Sequence, residues 1–128
     1  DTLVEDHGVG DTVGTVVRHA DGSFAATLST GGTSITLDGR VGDVPIYGCG
    51  AYAGPAGAVA CTGHGEEIIR QGLAREVYRM MESGMTAREA VHAACAAFPE
   101  EWSVGVIAVG REGWGVAANR SMAYGVMN

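Results

Sequence analysis

The chain has 128 residues, 46% of them apolar, with a positive mean hydropathy and a formal charge of −7. Such a length and apolar content suit one domain with its own core and argue against disorder, while no apolar run reaches the roughly 18 residues that a membrane-spanning helix needs. All 8 basic residues are Arg and none are clustered. The positive patch that a phosphate backbone demands is therefore missing, which points to a small-molecule partner and away from nucleic acid and membrane.

Residues 1–10 have neither the basic start nor the apolar stretch of a secretory signal. The β-branched run 12–18 precedes Ala20-Asp21-Gly22, and with 24–29 it predicts a hairpin. Residues 30–57 are rich in Gly, Pro, Asp and Ser and read as one long loop, a length at which loops usually carry function. A short apolar strand follows at 58–62.

Gly63-His64-Gly65 then leads into a helix over 66–83, with Ile69, Leu73, Val77, Met80 and Met81 at helical spacing and Gly84 as its stop. Thr86 and Glu89 form a capping box that opens a second helix, with Ala90, Val91, Ala94, Cys95 and Phe98 on one face and Pro99 ending it. Three more strands are expected at 104–109, 113–118 and 122–127. Strands, a helical pair and strands again indicate an α+β domain in which a sheet is layered against helices, not a doubly wound parallel fold.

Cys49, Cys61 and Cys95 contain no CxxC pair, which argues against a disulfide framework or a zinc site and makes a reducing cytoplasm the expected compartment. They also lack the His and Asn partners of a cysteine nucleophile. His7, His19 and His92 are isolated and read as structural or solvent-facing.

Four segments stand out against this background: Asp11-Thr12-Val13-Gly14, Ser29-Thr30-Gly31-Gly32, Gly39-Arg40-Val41-Gly42-Asp43 and Thr62-Gly63-His64-Gly65-Glu66. Taken singly, a Thr opening a strand is usually no more than a good β-former. In this order the four resemble the β-subunit of the plant-type asparaginase, isoaspartyl peptidase and glycosylasparaginase family. The similarity is densest from Ser29 to Ala53.

What the resemblance implies is an N-terminal-nucleophile hydrolase made as one inactive precursor. Self-cleavage of the Asp11–Thr12 bond would make residues 1–11 the end of an α-subunit linker and 12–128 the β-subunit. The expected fold is part of a four-layer αββα sandwich. Thr12 would be the nucleophile, its freed α-amine serving as its base. Thr30 matches the second threonine that orients it, and Thr62 and Gly63 match the oxyanion hole.

Arg40 and Asp43 match the groups that hold a substrate's α-carboxylate and α-amine, and Gly65 adds a carbonyl to the amine site. His64 is expected to be structural, since the Thr12 amine already supplies a base. No cofactor is implied for this chain, only a structural sodium in the α-subunit. The implied partners are that α-subunit, in a dimer of α/β heterodimers, and an amino-acid or dipeptide substrate.

The implied reaction is hydrolysis of a side-chain amide on an L-aspartyl unit, as in L-asparagine or a β-aspartyl dipeptide. Asp11, where Gly is commonest, is shared with glycosylasparaginases and the related threonine aspartase. Asp43 speaks against the latter, and Thr62–Glu66 leans toward the isoaspartyl peptidases. A non-catalytic aspartate-binding remnant of the fold is the reading from another class.

Overall fold

The β-branched start of the chain forms the expected hairpin. In the computed structural model, which describes residues 11–33 and 35–128, β1 (Asp11–Arg18) pairs antiparallel with β2 (Phe24–Gly32). The connecting turn closes through His19 and Gly22, while the Asp21 carboxylate accepts from the backbone N–H of Ser23 at 2.9 Å and from its hydroxyl. At the other end the ladder slips. Asp11 faces Gly32 but Thr12 faces Thr30, so Gly31 is the extra residue of a bulge. Of the expected linker, residues 1–10 lie outside the described part.

The second sheet is antiparallel, in the order β3 (Ala51–Gly54), β4 (Gly57–Gly63), β5 (Val104–Gly110) and β6 (Gly113–Ala118). Here the reading of 30–57 as one loop needs correction, since β2 runs on to Gly32 and β3 occupies its end. The four residues of β3 are too few to display an alternation, and pairing with β4 from Ala51↔Ala60 to Gly54↔Gly57 makes them a strand.

Successive residues of β4 serve opposite faces. Val59 and Cys61 join the apolar core beneath the helices, whereas Ala60 lies where a Cβ on Gly14 of β1 would be 3.4 Å away. The hairpin therefore packs on one face of the four-stranded sheet and the helices on the other. Small side chains at 14 and 60 are what allow that close approach.

The expected helix over 66–83 is broken in two, α1 (Gly65–Gln71) and α2 (Leu73–Glu82). Gly72 sits between them at φ 57°, ψ 47°, a left-handed conformation that glycine adopts without a steric penalty. The break is fixed by docking. Ala74 and Arg75, in the first turn of α2, donate their otherwise unmet N–H groups to the carbonyls of Cys49 and Gly48. Ile68 becomes the fully buried residue of α1, and Leu73, Ala74, Val77, Tyr78 and Met81 bury the inner face of α2.

The third helix, α3 (Ala87–Ala97), begins with the capping box as expected: Glu89 N–H donates to Thr86 Oγ1 at 3.2 Å and Thr86 N–H to the Glu89 carboxylate at 2.8 Å. The strand expected at 122–127 does not form, and no helix or strand follows Ala118. Apolar alternation makes a strand only where a ladder partner lies alongside. The α+β class stands, as a helix, sheet and sheet layering of the described residues. None of their helices is long and apolar enough to cross a membrane.

Candidate functional site

The β1–β2 ladder brings two residues 18 apart in sequence into contact. The Thr12 hydroxyl donates to Thr30 Oγ1 at 3.1 Å, and Thr30 Oγ1 also accepts the backbone N–H of Gly32 at 3.0 Å. The second bond returns the end of β2 onto the Thr30 side chain, with Gly32 at φ 77°, a value that favours glycine. Its effect is to fix the Thr30 oxygen.

The loop after β2 carries Arg40 and Asp43. Asp43 is anchored through its carbonyl, which accepts from Ile46 and Gly50 N–H groups, and a Cβ on Gly50 would press to 2.8 Å from Val44 Cα. The Asp43 side chain is buried, and among the described residues its Oδ2 has no hydrogen-bond partner. Burial pushes its carboxyl above the usual range, partly offset by the nearby Arg40.

Buried polar groups are nearly always satisfied, so an orphaned carboxylate oxygen marks a place where a donor belongs. An ammonium fits it. Gly65 keeps open the space beside the carboxylate's other oxygen, since a Cβ there would lie 2.8 Å from Arg40 Nη2 and 3.1 Å from Asp43 Oδ1.

Arg40 does not close on Asp43. Its Nε donates to Glu66 Oε1 at 2.7 Å, and this pairing holds the Glu66 carboxyl down at about 2. From sequence Glu66 is only the start of a helix, and its position in the Thr62–Glu66 segment is the single signal that could have drawn attention to it. Beside it, the His64 ring stacks on Trp102 at 3.8 Å with the planes 9° apart.

Thr62 and Gly63 end β4, where Gly63 has φ 135° and a Cβ would run into the Ser103 backbone. The N–H of the next residue, His64, donates to Ser103 O at 2.8 Å. Thr12 and Thr62 together line a cavity of about 920 Å³ between the hairpin and the four-stranded sheet, with Gly105, Ile107 and Met122 among its walls. Arg40 and Asp43 lie outside that cavity, in their own cluster with Gly65 and Glu66.

The three thiols are unsuited to attack. Burial raises Cys61 well above the ordinary thiol range, Cys95 to about 11, and Cys49 in the same direction. Among the described residues no three His, Cys, Asp or Glu side chains converge as a metal site would require.

The sequence profile of the asparaginase family matches residues 1–127. Probable isoaspartyl peptidase/L-asparaginase 2 of Arabidopsis thaliana is 44% identical over 104 residues, which are 80% of this chain and 32% of the relative. The isoaspartyl peptidase/L-asparaginase of Danio rerio is 48% identical over 90 residues, covering 70% of this chain and 29% of the relative. The isoaspartyl peptidase of Escherichia coli is 49% identical over 74 residues, or 57% of this chain and 23% of the relative. The chain thus spans about a third or less of the length of these relatives. A match across nearly its whole length, together with the four segments in order, establishes that the chain belongs to the asparaginase family that its motifs resemble.

Proposed function

We propose that this protein is a threonine N-terminal-nucleophile amidohydrolase that cleaves side-chain amides of L-aspartyl units, L-asparagine and β-aspartyl dipeptides, after self-cleavage at Asp11–Thr12. The observation that carries the reading is the Thr12–Thr30 hydroxyl pair at a ladder bulge, in a chain whose relatives are named isoaspartyl peptidase and L-asparaginase. A hydroxyl is a poor nucleophile near neutral pH, and a free α-amine with pKa near roughly 7.7–8 can accept its proton within the same residue. Cleavage of the Asp11–Thr12 bond supplies that amine.

The substrate's α-carboxylate lies on the Arg40 guanidinium and its α-ammonium on Asp43, with the Gly65 carbonyl beside it. Together they read an amino-acid head group and leave the side-chain amide for Thr12. Thr12 Oγ1 attacks the amide carbon while its proton passes to the α-amine. The oxyanion is held by the Thr62 hydroxyl and the Gly63 N–H. The protonated Thr12 amine then gives that proton to the leaving nitrogen, the C–N bond breaks, and a β-aspartyl ester remains on Thr12. Water, deprotonated by the same amine, attacks the ester through a second oxyanion, releasing aspartate and restoring the hydroxyl.

The upstream half of the same precursor is the partner we assign. A two-stranded hairpin is marginal alone, and strands from that half would extend β1–β2 and complete the fourth layer. Two α/β units pair in this reading, and any structural sodium belongs to the upstream half. The unpaired cysteines favour a reducing cytoplasm.

The test is the intact mass of the full-length protein: two fragments separated at Asp11–Thr12 are expected, and a single uncut mass with no turnover would put the aspartate-binding remnant in its place. Asp11 before the nucleophile favours glycosylasparaginase as the second reading. Comparing hydrolysis of β-aspartyl-leucine with that of N-acetylglucosaminyl-asparagine separates the two.

A further inference from the structure

We propose that Glu66 is the positioning residue of the Arg40 guanidinium, holding it by Nε so that both terminal nitrogens face the ligand's α-carboxylate. The inference rests on the amino-acid-binding part of the reading above.

A guanidinium can grip a carboxylate along its side, through Nε and one Nη, or end-on through both Nη atoms. Glu66 Oε1 takes Nε at 2.7 Å, which removes the side-on choice. The terminal nitrogens lie against two glycines: Nη1 would be 2.9 Å from a Cβ on Gly42, and Nη2 2.8 Å from a Cβ on Gly65. The plane of the fork is thus set by a tether on one edge and by backbone on the other. The Asp43 carboxylate comes to the same place, with Oδ1 3.1 Å from that Gly65 Cβ position.

Glu66 is itself well placed for such a task. It stands in the first turn of α1, which is rooted in the core by the fully buried Ile68. Its second oxygen, Oε2, is flanked at 3.7 Å by Nε2 of His64, whose ring is held flat against Trp102. With its carboxyl at about 2, Glu66 stays charged at any working pH. The side chain is 54% exposed, and ion pairs that open to water contribute little to folding. A Glu66 variant should therefore fold, and its defect should appear in binding.

The test is calorimetric titration of the full-length protein with L-aspartate and with β-alanine, which is aspartate without its α-carboxylate. Glu66→Ala is expected to weaken L-aspartate about tenfold, the loss of one charge-assisted contact, while β-alanine binding stays unchanged. Glu66→Gln, whose side-chain oxygen still accepts from Nε, should recover most of that loss. In an Arg40→Ala background, Glu66→Ala should add nothing.

Unchanged or tighter L-aspartate binding by Glu66→Ala would overturn the proposal, the tighter case meaning that Glu66 competes with the ligand for Arg40. Equal losses for L-aspartate and β-alanine would overturn it as well. A wild type that binds L-aspartate yet turns over no amide removes the hydrolase reading alone and leaves this comparison intact. One that binds no L-aspartate removes both.

Discussion

Asp43 and Arg40, three residues apart on one loop, do not pair with each other: Glu66 takes the Arg40 Nε at 2.7 Å while Asp43 Oδ2 stays buried without a partner among the described residues. The carboxyl of Asp43 is raised by burial, so the fold favours its neutral form. Stability contributed by that neutral form is present at low pH and is lost as pH rises through the folded pKa. At neutral pH the buried charge is a cost. Asp43→Asn is expected to stabilise the protein at pH 7 by about 1 kcal/mol, a typical gain where stability was traded for binding, and to abolish L-aspartate binding. Calorimetric melting at pH 7 and pH 3 checks this, because the gain should vanish at pH 3, where Asp43 is already protonated.

The Thr30 oxygen is held by the Gly32 N–H and accepts from Thr12. Thr30→Val keeps the shape and removes the acceptor, so kcat should fall about tenfold to a hundredfold, the equivalent of losing roughly 1.5–3 kcal/mol of orienting contact. Thr30→Ser should stay within a few-fold of wild type. Steady-state kinetics on L-asparagine separates these outcomes, and equal rates for Val and Ser would remove Thr30 from the mechanism.

Thr62 lies on the cavity wall opposite the hairpin, at the end of β4. In the proposed mechanism Thr62 is an oxyanion donor, which acts on the transition state more than on the bound substrate, so Thr62→Val should reduce kcat by on the order of a hundredfold with little change in KM. A raised KM with unchanged kcat would make Thr62 a substrate-binding group instead.

The capping box of α3 tests the fold apart from the chemistry. Thr86→Ala removes the oxygen that receives Glu89 N–H and should destabilise the protein by about 1 kcal/mol. Denaturant unfolding would measure the loss, and kcat on L-asparagine should be unaffected. A cost well below that would show that α3 is held by its buried face alone, where Ala90 and Val91 are fully enclosed.

Several parts of this architecture were legible because their causes are local. The β-branched run before Asp21-Gly22 makes a hairpin by turn chemistry and strand preference, and Thr86 with Glu89 closes its own box across one helical turn. The strand at 51–54 was hidden because its pairing with β4, and not its own pattern, defines it. The same dependence on a partner defeated the expected strand at 122–127, whose apolar alternation finds no ladder.

The chain by itself determined which chemical groups are available and in what order: Thr12, Thr30, Arg40, Asp43, Thr62 and the glycines around them, the pattern that placed it in its family. Tertiary structure decided how those groups meet. Gly72 is a break and not a mid-helix glycine because α2 docks its first N–H groups on the carbonyls of Gly48 and Cys49. Glu66 holds Arg40 across 26 residues of sequence, and among the described residues the Asp43 oxygen is left unpartnered by packing from distant segments. The physical reason is range: capping, turn and strand preferences act within a few residues, whereas ion pairing and desolvation depend on distances that only the folded chain sets.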